Sequence, residues 1–206
     1  ILNGPNPDQL PSNGVGFLVA EYRKPEFQID VTADKPEYVQ GDTIKVKVKA
    51  TYFSGGGLGN APVTWQLIAN PYSFNWTKGP DNRYFSFDPF DPKQDNFDPY
   101  RGSFLGLVKE GKGATEADGS FTIEVPANLG EALQSQNWTF NVTVQSSTNQ
   151  FVSDQVSVPV HRGAFYVGLS PQSYVVQVND ESTVDVVTVT PQGDPYPAAK
   201  LDVTVY

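Results

Sequence analysis

The chain has 206 residues, 38% of them hydrophobic and 13% aromatic, enough to bury a core in one large domain or two small ones. Its 14 basic residues against 23 acidic ones leave a net charge of -9, which argues against a nucleic-acid partner, because phosphate binding needs a cationic face. The lack of cysteine removes disulfides, thiolate nucleophiles and zinc ribbons, the single histidine excludes a multi-histidine metal site, and apolar runs of only a few residues leave nothing to span a bilayer.

The first periodic stretch, FLVAEYRKPEFQIDV at 17–31, alternates on both sides of Pro25. Proline cannot donate to a central ladder and pushes the residue before it out of the helical region. The stretch therefore reads as two strands: GFLVAEYR closes a preceding domain that is mostly absent, and EFQIDV opens the next. Residues 1–24 are assigned to that closing strand and its elbow, with Tyr22, Arg23, Lys24 and Pro25 as the inter-domain joint. The chain begins with Ile1 and has no methionine, and it is expected to be a piece of a longer protein.

From Glu26 onward the period is two. Phe27, Ile29 and Val31 lead, and in TIKVKVKATY Ile44, Val46, Val48, Ala50 and Tyr52 share one face while Lys45, Lys47 and Lys49 take the other, the solvent face. Val63, Trp65, Leu67 and Ala69 follow, after the turn signals VQGD and SGGGLGN. The glycine-rich SGGGLGN precedes a strand and lacks the Lys-Ser/Thr end of a phosphate loop, so it reads as a hairpin.

Residues 70–101 form a long insertion rich in aromatics, among them Tyr72, Trp76 and Tyr84. Its aromatic content argues for order, packed on its own domain or on a neighbour. Asp88, Asp91, Asp95 and Asp98 are spaced carboxylates and candidate calcium ligands; they miss the EF-hand register, and the prolines after three of them favour Asp-Pro turns.

Beyond the insertion, SFLGLV at 103–108 is a further short strand candidate, and Phe121, Ile123 and Val125 alternate after the turn ADG. ANLGEALQSQ is the single weak helical window. Trp138, Phe140, Val142 and Val144 alternate with Asn137, Thr139, Asn141 and Thr143, so the sequons at Asn137 and Asn141 lie on the polar side of one strand; a third sequon begins at Asn75. Val156, Val158 and Val160 complete about seven strands up to His161, which reads as a surface or hinge residue. Alternation of this kind belongs to antiparallel sheets with one wet face, and short strands between regular turns point to an antiparallel β-sandwich, all-β, spanning 25–162. After VPVHRG the pattern restarts as about four strands over 163–206, too few residues for a second sandwich, and reads as the beginning of a following one, truncated.

The junction FLVAEYRKPEFQIDV, followed by KPEYVQGDTIKVKVKATYFSGGGLGNAPVTWQL, resembles a domain junction of the bacterial alpha-2-macroglobulin family. EGKGATEADGSFTIEVP is similar to a later hairpin of the same domains, and GAFYVGLSP to the opening of the next. The resemblance implies macroglobulin-like domains, sandwiches of fibronectin- or immunoglobulin-like architecture, stacked within a multi-domain protein that inhibits endopeptidases by trapping them after a bait segment is cut. It further implies an extracytoplasmic setting, periplasmic, envelope-attached or secreted, with neighbouring macroglobulin-like domains and target endopeptidases as partners. The thioester that many members carry needs a cysteine, so it is not placed in this chain, and the bait is likewise expected to lie outside it.

The expectation is a non-catalytic structural segment with no cofactor. No nucleophile or orienting partner accompanies His161, and no local motif marks a carboxylate pair for glycoside hydrolysis. The alternative is a carbohydrate-binding or adhesive cell-surface sandwich in which Tyr72, Trp76 and Tyr84 of the loop 72–100 present flat rings to a sugar.

Overall fold

The computed structural model describes residues 24–80, 83–88, 106–173, 175–177, 180–197 and 200–203. Ten strands and no helix occur among them. They are β1 (Phe27–Ala33), β2 (Tyr38–Val39), β3 (Thr43–Tyr52), β4 (Pro62–Pro71), β5 (Gly106–Ala114), β6 (Ser120–Pro126), β7 (Gln136–Gln145), β8 (Phe151–His161), β9 (Tyr166–Pro171) and β10 (Val184–Val189).

Two sheets face each other. The smaller has the order β1-β3-β6 and the larger β2-β8-β7-β4-β5, all antiparallel except the short β2–β8 pairing of Tyr38 with Val160 and Val39 with His161. The period-two residues place their apolar side chains between the sheets. In β3, Ile44, Val46, Val48 and Ala50 are buried while the three lysines face water. In β7 every second residue from Gln136 to Val144 is buried. Register brings Leu67 opposite Phe140, Trp65 opposite Val142, and Val46 opposite Ile123, so large and small side chains interleave in one core. On the wet face Lys45 pairs with Glu124 at 2.9 Å and Lys49 with Asp118 at 2.8 Å. Lys49 and the Ser120 hydroxyl hold the Asp118 carboxyl well below the usual carboxylate range.

Between β1 and β3, residues 34–42 reach across to the larger sheet through β2 and return. The buried Tyr38 donates its hydroxyl to Asp34 Oδ1 at 2.5 Å, and the same carboxylate oxygen accepts the Lys45 amide at 3.2 Å. Burial, with Asp34 beside it, pushes the Tyr38 hydroxyl up to about 12, and the hydrogen bond holds Asp34 below its ordinary value. On the side of β1 away from β3, side chains of β8 and the turn before it accept backbone donors: Asp154 accepts the Val31 amide at 3.1 Å and Gln150 accepts the Glu26 amide at 3.0 Å. An edge closed in this way no longer offers those donors to another chain.

One sequence expectation is corrected. The window ANLGEALQSQ is an irregular segment: Asn128 accepts the Gly130 amide through its side chain at 2.9 Å, and Gly130 sits at φ 58, a left-handed conformation that a continuing helix does not allow. The strand candidate at 103–108 overlaps β5, whose described residues run from Gly106, with Leu107 and Val108 exposed. Opposite the buried Trp65 and Val63 of β4 it carries glycines, Gly111 and Gly113. A side chain at Gly111 would meet the Trp65 indole at 2.6 Å, and one at Gly113 the Phe121 ring at 2.4 Å, so neighbouring rings fill the core side of β5 and its own sequence shows no apolar alternation. Among the described residues after His161 the named strands are β9 and β10.

Leu67→Ala, at a wholly buried position between the sheets, is expected to cost about 2–5 kcal/mol of stability. Lys47→Ala, on the wet face of β3, is expected to stay within about 0.5 kcal/mol of the parent chain. Urea unfolding followed by tryptophan fluorescence measures both.

Candidate functional site

The most elaborate contact outside the sandwich core is made by the described part of the insertion, 72–80 and 83–88, against the ribbon of β9 and β10. As the chain leaves β4 the Tyr72 amide donates to the Ser135 carbonyl at 2.9 Å. Phe74 then lies flat on Tyr166 of β9, with ring centroids 4.2 Å apart and planes 7° from parallel, and meets Phe87 edge-on at 5.0 Å. Trp76 packs edge-on against Phe85 and Phe87, and its indole N–H donates to the Gly193 carbonyl at 2.8 Å.

Two glycines of the ribbon receive these rings. A Cβ at Gly168 would meet Phe87 at 2.6 Å. Gly193 has φ +80, and a Cβ there would stand 3.2 Å from Trp76. The backbones also pair: Ser86 and Leu169 exchange two hydrogen bonds of 2.9 Å, so the insertion adds a one-residue bridge to the edge of β9. Lys78 meets Asp194 at 2.6 Å and Arg83 pairs with Asp185 at the rim. Exposed ion pairs of this kind contribute about 0–1 kcal/mol, whereas aromatic pairs add about 0.5–1.5 kcal/mol each beyond their buried area, so the rings dominate.

Beneath the rings lies a polar cluster centred on His161. The sequence suggested a surface or hinge residue; the imidazole is in fact only 1% exposed. Its Nδ1 is 2.6 Å from the Tyr166 hydroxyl, and its Nε2 is 3.4 Å from Glu37 Oε2. The rings of Tyr72 and Tyr166 both meet it edge-on. The Tyr166 hydroxyl lies 2.7 Å from Ser135 Oγ, which accepts the Arg162 amide at 3.1 Å, and Gln192 donates to Glu37 from the ribbon side. Burial pushes the His161 imidazole down against the opposing pull of Glu37, and pushes the Tyr166 hydroxyl up to about 12. A ring enclosed in this way joins structural elements; a general base needs reach to a substrate proton.

The residues singled out in the sequence fall in different places. Tyr72 and Trp76 are half-buried and spend their rings on His161 and on the ribbon, while Tyr84 stands apart, 71% exposed, on the rim of a cleft of about 480 Å³. Asp88 is exposed; Asp91, Asp95 and Asp98 lie outside the described residues, among which no group of three or more carboxylates and histidines is placed to hold a metal. Of the elbow, Tyr22 and Arg23 lie outside the described residues; Lys24 and Pro25 precede β1 and belong to no strand. The joint at 161–166 was missed. Its signal is the lone histidine at the end of a valine strand, followed five residues on by a tyrosine, too sparse a pattern to read without the fold.

No family model matches the chain. Over 55 residues, 27% of this chain and 4% of the relative, it is 38% identical to an alpha-2-macroglobulin of Thermotoga maritima. A Salmonella alpha-2-macroglobulin variant superposes with a TM-score of 0.58 at 17% identity, covering 85% of this chain and 12% of that one. An Escherichia coli alpha-2-macroglobulin activated by porcine elastase gives 0.58 at 17% identity, over 84% of this chain and 15% of that one. The chain thus spans a small part of the length of the proteins it matches. Sequence and fold point the same way: over 55 residues the chain is similar to an alpha-2-macroglobulin, and its all-β fold is shared with solved alpha-2-macroglobulin structures.

Trp76→Ala is expected to raise amide exchange selectively at Leu169 and Ser86 while leaving β7 protected, and Tyr84→Ala is expected to change neither. Hydrogen-exchange mass spectrometry resolves these segments. Equal exchange in wild type and Trp76→Ala would show that the indole does not hold the ribbon.

Proposed function

We propose that this alpha-2-macroglobulin-like chain is a non-catalytic structural segment of a longer protein that inhibits endopeptidases by trapping them once a bait segment elsewhere has been cut. The observation that carries the reading is the agreement between the 55-residue sequence match and the fold match, which name the same kind of protein independently. The side chains support it: the residues with chemical potential, His161 and its neighbours, are buried as a joint.

Within that protein, residues 25–162 form the complete sandwich, with 70–101 as its insertion. Residues 1–24 belong to a preceding domain, and 163–206 begin a following one. The exposed side of the ribbon supports the last assignment. Val167, Leu169, Val184 and Val186 share one face of β9–β10 and are all exposed, and a two-stranded ribbon with a bare apolar face is marginal unless something covers it. The mechanism is mechanical: sandwiches keep their orientation through short, braced joints, and closure follows a cut made elsewhere. Its partners are the neighbouring domains and, through the parent, target endopeptidases. The setting is extracytoplasmic, and no helix among the described residues is long and apolar enough to cross a membrane. A sugar-binding role draws little support, because Tyr72 and Trp76 already face protein and a ring committed in this way cannot stack on a ligand.

Incubating the full-length parent with an endopeptidase is expected to yield a cleaved, faster-migrating form on native gels with the protease co-migrating. Cleavage with neither a mobility change nor capture would remove the inhibitor assignment.

A further inference from the structure

We propose that His161 is a pH-sensitive latch: neutral, it holds the β9–β10 ribbon on the sandwich, and protonated, it lets the ribbon go. The geometry is a directed chain of hydrogen bonds across the joint. Four groups lie in line, the Arg162 amide, Ser135 Oγ, the Tyr166 hydroxyl and His161 Nδ1, at 3.1, 2.7 and 2.6 Å. With the ring proton on Nε2, facing Glu37, every donor has one acceptor: Arg162 N–H to Ser135, Ser135 O–H to Tyr166, Tyr166 O–H to Nδ1.

Adding a proton to Nδ1 reverses this order. The imidazolium must donate to the Tyr166 oxygen, Tyr166 must turn its proton to Ser135, and Ser135, still accepting the Arg162 amide, is left with a hydroxyl proton and no acceptor in the chain. Ser135 is 4% exposed, so the orphaned donor is buried.

The groups facing the ring decide the balance. Glu37, from the turn before β2, favours the charged form at 3.4 Å, although Gln192 of the ribbon competes for the same carboxylate. Tyr72 from just beyond β4 and Tyr166 from β9 offer ring edges and no negative charge. The neighbouring Arg162 guanidinium is turned away, donating to Gln40 Oε1 and the Gly130 carbonyl. Burial outweighs Glu37, and the ring is held below its ordinary value.

The sign follows. A histidine whose closed-state value lies below its open-state value, about 6.5, gives full stability above that pH and loses it as pH falls through the interval below. Acid therefore opens the joint while the sandwich core, built from apolar side chains, stays closed.

As the only histidine in the chain, His161 gives an unambiguous imidazole NMR titration. Run on the whole chain, that titration is paired with hydrogen exchange at about pH 7.5 and about pH 5, corrected for the intrinsic rate. The expected result is a His161 midpoint below that of a free histidine. Protection at 166–171 and 83–88 should fall on acidification, by at most about thirtyfold between these pH values for an open-state value near 6.5, with β3 and β7 unchanged. His161→Gln should abolish the pH dependence. Should that variant not fold, Tyr166→Phe keeps the stack on Phe74 and removes the hydroxyl, and should loosen the joint at both pH values. Protection that is equal at the two pH values, a pH response that persists in His161→Gln, or a Tyr166→Phe chain indistinguishable from wild type would each overturn the latch.

Discussion

The structure depends on two pleated sheets that must bury one face each against the other. Ile44, Val46 and Val48 on one side and Leu67, Phe140 and Val142 on the other close a dry layer, and the chain's alternation exists to supply it. Everything else is placed by that layer. The rear of β3 carries its lysines because the front is committed, and the two-residue β2 lets the loop between β1 and β3 reach the larger sheet, where it seats the buried Tyr38. The end of β8 brings His161 to the point where the chain leaves the body.

A rigid body alone gives a building block no orientation relative to its neighbours. The insertion after β4 supplies one. It carries its rings out of the sandwich and seats them on glycines of the ribbon, while Ser86 completes a backbone bridge to Leu169. Rings meeting glycine backbone give close, directional contact with little side-chain entropy to lose, and the indole hydrogen bond to Gly193 fixes the angle. The polar chain beneath makes the contact conditional, since hydrogen bonds that must all point one way are sensitive to a single added proton.

The sandwich was legible in the sequence where a strand faces one wet and one dry layer: β3, β4, β6 and β7 each write their burial as alternation. β5 was not, because its core side is filled by Trp65 and Phe121 from elsewhere, and glycines carry no hydrophobic signal. The non-helical segment after Ala127 was hidden by apolar spacing that Gly130 and the Asn128 turn override. Of the site, the aromatic content of the insertion was plain, but what Tyr72 and Trp76 touch was not, since their partners lie in the ribbon far along the chain, Trp76 and Gly193 being 117 residues apart. His161 was misread because its burial comes from Tyr72, Tyr166 and Glu37, three residues that no local pattern links to it.

The central claim, that the insertion fixes the ribbon to the sandwich as one structural member, is tested most directly by 15N relaxation on the chain near neutral pH. Amides of β9 and β10 are predicted to report the same rotational correlation time as those of β7. A distinctly shorter time for the ribbon, tumbling on its own about residues 162–165, would contradict the account.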